Sequence, residues 1–267
     1  MLKDITLGQY FPGETVVHRL DPRTKLILTI VYIAALFMAQ SWTGYALVFL
    51  ALIAVMIVAH IGPKAILKGL KPLVVIIIFT AILNLFFTSG EDYLLHWRFI
   101  KITYTGLKNA VIMALRVLLL VSGTFLLTYT TSPLAITDGL EMLLSPLKKL
   151  RVPVYELSLM MSIALRFIPT LIEETDRIMS AQKARGADLE SGTIIDRARA
   201  LLPLLIPLFV SSFRRADELA TAMECRCYNG GEGRTRMKTL KMAPRDLAAF
   251  LFGAALVAGV VLLRRLP

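Results

Sequence analysis

Long apolar runs alternate with short, basic, turn-forming stretches along most of this chain. Residues 1–24 are polar and broken by Pro12, Gly13 and Pro22. A helix-start signal closes them: the Asp21 carboxylate can cap free N–H groups, and Pro22 suits a first helical turn. Leu26 to about Gln40 is the first run approaching the length that crosses a bilayer. Ser41-Trp42-Thr43-Gly44 reads as a turn, with Trp42 at the depth where aromatic anchors gather. Further spans are expected from Tyr45 to about His60, Leu73 to about Thr88, about Leu107 to Thr130, and Arg245 to Leu263. Between the third and fourth, Trp97 to Tyr104 is rich in β-formers with partial alternation, which predicts a short hairpin.

The pattern changes from Ser132 to about Pro244, where prolines 133, 146, 153, 169, 203 and 207 interrupt the chain. Ser132–Leu150 reads as a short amphipathic helix. The apolar pieces Leu157–Ile168 and Ala200–Phe213 are too short or too proline-broken for independent spans, and each continues into a charged stretch. A single helix from Val154 to Ala184 would be about 46 Å long, bent at Pro169. These pieces read as helices that start in or on the membrane and run into or across its cytoplasmic face. The fold class expected is an all-α integral membrane protein, with about five transmembrane helices, long cytoplasmic-side helices and a short external hairpin. The division is residues 1–131 (arm and four-span bundle), 132–243 (cytoplasmic helices) and 244–267 (C-terminal span).

Composition narrows the class. Of 267 residues, 56% are hydrophobic and 18% charged, with mean hydropathy +0.67, too apolar for a soluble domain. The net charge of +11 could mean nucleic acid. The cations instead cluster at helix ends and in loops, as membrane topology requires, so lipids and not nucleic acid are the expected partner. Lys64, Lys68 and Lys71, with no acid among them, make the Gly62–Lys71 loop cytoplasmic and Ser89–Gly106 external. An odd number of spans then leaves Arg264-Arg265 outside, against the same rule. Arg116 lies inside a span, where pairing and snorkelling to the interface are both open. Cys225 and Cys227 are too close for a good structural disulfide and too few for a zinc site. The glycines of residues 229–236 lack the ending of a phosphate loop. No apolar signal-peptide core precedes Thr24.

The most informative feature is a weak repeat. A shift of about 41 residues, a period typical of repeated supersecondary units, aligns one segment with another. Asp176 falls on Asp217, Ile178 on Leu219, Ser180 on Thr221, Ala181 on Ala222, and Arg185 on Arg226. Each copy ends on an arginine between small residues, Ala184-Arg185-Gly186 and Cys225-Arg226-Cys227. Two copies are also compatible with chance similarity between amphipathic helices, and a lone arginine at a helix C-terminus complements the helix dipole without further purpose. Matched contexts and a planar, permanently charged fork that pairs with carboxylates fit plugs for a pair of soluble partners.

On these residues, and on Pro12-Gly13-Glu14 with His18 through Leu26, the chain resembles the transmembrane T component of energy-coupling factor transporters, modular bacterial and archaeal importers of vitamins and metals. The resemblance covers nearly the whole chain. It implies a multi-pass cell-membrane scaffold whose coupling helices end at Ala184, Arg185, Gly186 and at Cys225, Arg226, Cys227, each arginine seated in a groove of one of two ATP-binding-cassette ATPases. It also implies a separate small substrate-binding membrane subunit. ATP and magnesium would be bound by the ATPases; this chain would bind no cofactor and catalyse nothing. The cysteines depart from the commoner Ala-Arg-Gly form of the second motif. Two other readings stand beside this one: a self-sufficient transporter, and a membrane-embedded enzyme using Arg185, Asp188 and Glu190.

Overall fold

A computed structural model of the chain describes residues 10–87, 93–97, 100–187, 194–230 and 240–265. Its helices are α1 (Pro22–Met38), α2 (Trp42–Ala59), α3 (Pro63–Leu70), α4 (Val74–Phe87), α5 (Tyr104–Thr130), α6 (Pro133–Leu144), α7 (Val154–Ala184), α8 (Ile194–Glu224) and α9 (Pro244–Arg265). A hairpin of β1 (Tyr93–Trp97) and β2 (Ile100–Thr103) pairs antiparallel before α5. The helix starts follow local chemistry. Asp21 accepts the Arg23 amide, Ser41 the Gly44 amide and Thr103 the Gly106 amide, each side-chain oxygen serving an amide without a helical partner.

Two compact units divide the chain, one of Gly8–Gly139 with Leu240–Pro267, the other built on Leu140–Thr239. In the first, α1, α2, α5 and α9 pack around Leu36, Val48, Leu119, Leu126 and Val260. Among lipids there is little hydrophobic drive for helices to associate, so close approach and polar contacts hold them. Gly123 provides one approach: a Cβ there would run into the Tyr32 ring, and the Tyr32 hydroxyl donates to the Leu119 carbonyl at 2.9 Å. A buried polar knot provides another. Asp246, in the first turn of α9, accepts from the Asp21 amide at 2.9 Å and the Ala243 amide at 2.7 Å. Lys25 donates to the carbonyls of His18 at 3.1 Å and Thr130 at 2.8 Å. The starts of α1 and α9 and the end of α5 therefore lie on one face.

Five helical stretches among the described residues are long and apolar enough to cross a membrane: Trp42–Ala59, Pro63–Phe86, Tyr104–Thr130, Val154–Ala184 and Pro244–Arg264. α1, at 17 residues, is one residue shorter than the shortest of these. Two expectations need correction. Val154–Ala184 qualifies as a span by length and composition, with Pro169 inside one continuous 31-residue helix. The Gly62–Lys71 loop is mostly helix: Pro63 opens α3, Ile66 and Leu70 bury one face, and a 3-10 turn at Lys71–Leu73 accommodates Pro72 before α4. Arg116 finds no carboxylate among the described residues. Its guanidinium donates to the Tyr45 hydroxyl at 2.6 and 3.0 Å and lies 5.7 Å from the centre of the Phe37 ring, so hydrogen bonding and a cation–π contact hold it near the outer ends of α1 and α2.

Candidate docking tips on α7 and α8

The second unit is dominated by α7 and α8, each 31 residues long. They touch through an ion pair, Arg215 Nη2 to Glu174 Oε2 at 2.7 Å, and through Gln182, whose side-chain amide donates to the Pro203 carbonyl at 3.5 Å. Moving forward along α7 from 174 to 182 moves backward along α8 from 215 to 203, so the helices run antiparallel. Glu174 and Arg215 are 41 residues apart in sequence, the shift of the repeat itself. Equivalent positions thus meet where the helices cross, as a pseudo-twofold arrangement requires. Each arginine lies eleven residues beyond that crossing (174 to 185, 215 to 226), about 16 Å along its helix. The tips point in opposite directions and stand at most roughly 35 Å apart. Opposite charges at equivalent positions were a sequence signal for the crossing that the repeat alignment passed over.

The two helix ends close with the same pair of bonds. The Gly186 amide donates to the Lys183 carbonyl at 3.0 Å and the Ala187 amide to the Gln182 carbonyl at 3.0 Å. At the other end, the Cys227 amide donates to Glu224 at 2.8 Å and the Tyr228 amide to Met223 at 3.0 Å. Every donor and acceptor is displaced by the period of the repeat. Both ends are Schellman closures, in which the residue after the cap turns left-handed and two bonds satisfy the last carbonyls. The left-handed residues are Gly186 (φ +86°) and Cys227 (φ +57°), and the cap position itself is Arg185 or Arg226. Since backbone amides already satisfy those carbonyls, neither guanidinium is needed for the closure. Ala184, Arg185, Gly186, Cys225, Arg226 and Cys227 are all exposed, and neither arginine has a side-chain partner among the described residues. Cys225 and Cys227 are free thiols. Asp188 and Glu190, the acids of the enzymatic alternative, lie outside the described residues, as does most of the glycine stretch after Gly230.

Comparison with known proteins decides the family. Residues 13–237 match the family model described as cobalt transport protein. The energy-coupling factor transporter transmembrane protein of Thermosediminibacter oceani is 53% identical over 263 residues, covering 98% of this chain and 99% of its own. The chain belongs to the energy-coupling factor transporter transmembrane protein family. The Bacillus subtilis member is 47% identical over 264 residues, 99% of this chain and all of its own. The Lactococcus lactis member is 46% identical over 245 residues, 92% of each. With five helical stretches able to span a bilayer, this family member is a multi-pass protein of the cell membrane and the transmembrane component of a transporter. The resemblance read from the paired arginine motifs and the His18–Leu26 segment is the family that full-length similarity gives.

Proposed function

We propose that this chain is the mechanical coupler of an ATP-driven importer. Arg185 enters a groove of one cytoplasmic ATPase and Arg226 a groove of a second. ATP and magnesium are bound on those partners; this chain supplies no catalytic residue. Closure of the ATPase pair changes the separation of their grooves, levers α7 and α8 about their crossing, and reorients a separate small membrane subunit that carries a vitamin or metal ion. The observation that carries this reading is the matched Schellman closure of the two helix ends, with an exposed arginine at each cap and a crossing at the repeat's equivalent positions. Exposed apolar residues on both helices, Leu157, Met160 and Met161 on α7 and Leu202, Phe209 and Phe213 on α8, support a face against lipid or the substrate subunit. Purifying the tagged chain from its native membrane tests the assembly. Two ATPases and one small hydrophobic protein should accompany it; a chain that purifies alone and transports alone contradicts the proposal.

A further inference from the structure

A half-open groove of about 330 Å³ runs between α1, α2, α5 and α9. That is roughly twice the 150 Å³ of an apolar cavity that takes up benzene. Its walls are Leu28, Ala51, Val55, Leu127, Ala249 and Phe252, among other apolar side chains, with Val16, Val17 and Leu20 of the N-terminal arm at one end. The polar side chains inside are already partnered. Thr29 donates to the Lys25 carbonyl, Tyr32 to that of Leu119 and Thr130 to that of Leu126, while the Lys25 ammonium is held by the carbonyls of His18 and Thr130. The groove therefore offers no polar group that calls for water. Arg245 is the exception. It lines the mouth, is exposed, and has no side-chain partner among the described residues.

The groove lies mostly in those halves of the four helices that lead to the polar knot of Asp21, Lys25 and Asp246, reaching just past the middle of α1 at Tyr32 and of α9 at Leu256; positive-inside bias makes the knot's face cytoplasmic. From Arg245 to Leu256 it follows α9 for eleven residues, about 16 Å, which matches one leaflet of a hydrocarbon core about 30 Å thick. About 330 Å³ over roughly 16 Å of length does not enclose an α-helix about 10 Å across. An acyl chain fits the length, the apolar walls and the volume, and an anionic headgroup fits the unpaired guanidinium. We infer that the groove is a binding site for an anionic phospholipid of the cytoplasmic leaflet, its acyl chain between α1, α2, α5 and α9 and its phosphate on Arg245.

The test uses the chain purified with its accompanying subunits and reconstituted in phosphatidylcholine vesicles. Phosphatidylglycerol or phosphatidylcholine carrying a photoactivatable acyl chain is added, and labelled peptides are mapped. Phosphatidylglycerol should label the groove segments of α1, α2, α5 and α9 in preference to phosphatidylcholine. Arg245→Gln, at an exposed position, should lower that labelling roughly fivefold, the value of one basic residue near an anionic surface, and lower phosphatidylcholine labelling by less, because the choline ammonium offsets that lipid's phosphate. Ala249→Phe, which fills the groove, should abolish both while the complex still elutes as wild type. Equal labelling by the two lipids, indifference to Arg245→Gln, labelling only outside the groove, or a cross-link there to a partner peptide instead of lipid would each overturn the site.

Discussion

Cys227 holds a backbone conformation, φ +57°, that an L side chain enters at a cost of about 1–2 kcal/mol and that glycine adopts freely. Its counterpart in the other motif, Gly186, is glycine, with open space where a Cβ would be, so the difference lies in the backbone alone. Cys227→Gly should therefore strengthen the last turn of α8. Hydrogen exchange of the Cys227 and Tyr228 amides should slow by roughly five- to thirtyfold, and combination with Cys225→Ala should leave assembly and uptake intact. Loss of uptake, with zinc released from the wild-type complex, would mean that thiol chemistry and not size is what these positions require. The equivalence of Gly186 and Cys227 was available in the repeat. Their shared left-handed geometry was not, because cysteine gives no sequence signal for it.

At the scale of elements, the knot at Asp246 joins α9 to α1. Asp246→Ala would strand the buried amide of Asp21, worth about 1–3 kcal/mol, free the half-buried amide of Ala243, and take a carboxylate from the neighbourhood of Lys25. The chain should lose about 2–5 kcal/mol, read as a lower thermal midpoint of the purified complex; an unchanged midpoint would show that the knot holds nothing. This contact joins positions 225 residues apart, and no local pattern announces it. Asp21-Pro22 was legible because capping is local chemistry, and the single helix Val154–Ala184 because its apolar piece continues directly into a charged stretch. α3 was not. Lys64 and Lys68 within it and Lys71 just after it marked it as a loop, whereas Ile66 and Leu70, one turn apart, bury against the bundle.

For the whole molecule, α5 ends and α9 begins on the same face, so the intervening segment crosses the bilayer an even number of times. Although α7 is long and apolar enough to span, the coupling proposal needs none of those crossings, with both arginine tips in the cytoplasm. It also leaves Arg264 on the opposite face from Asp21, against the positive-inside bias, because the knot ties α9 parallel to α1. In a background lacking Cys225 and Cys227, an impermeant thiol reagent applied to intact cells should modify Arg264→Cys and spare Lys68→Cys. The reverse pattern refutes the orientation.

The central claim is that Arg185 and Arg226 hold the ATPases and pass on their motion. Truncating one member of a buried charge pair typically costs about 2–5 kcal/mol, partly because the partner's acid stays desolvated and unpaired. That is roughly 30- to 4,000-fold in affinity for one contact. Two tips on one scaffold reinforce each other through effective concentration, so single variants can stay assembled and yet fail to transmit. A cation serving only its own helix end is worth about 0.3–1 kcal/mol, and lysine would replace it. The deciding measurement is ATPase co-purification together with substrate uptake for alanine and lysine at both positions. Arg185→Ala and Arg226→Ala should each abolish uptake, the double variant should shed both ATPases, and lysine should rescue poorly because a point charge cannot reproduce the planar fork. Near-wild-type uptake and assembly in all of them would reduce both arginines to helix ends.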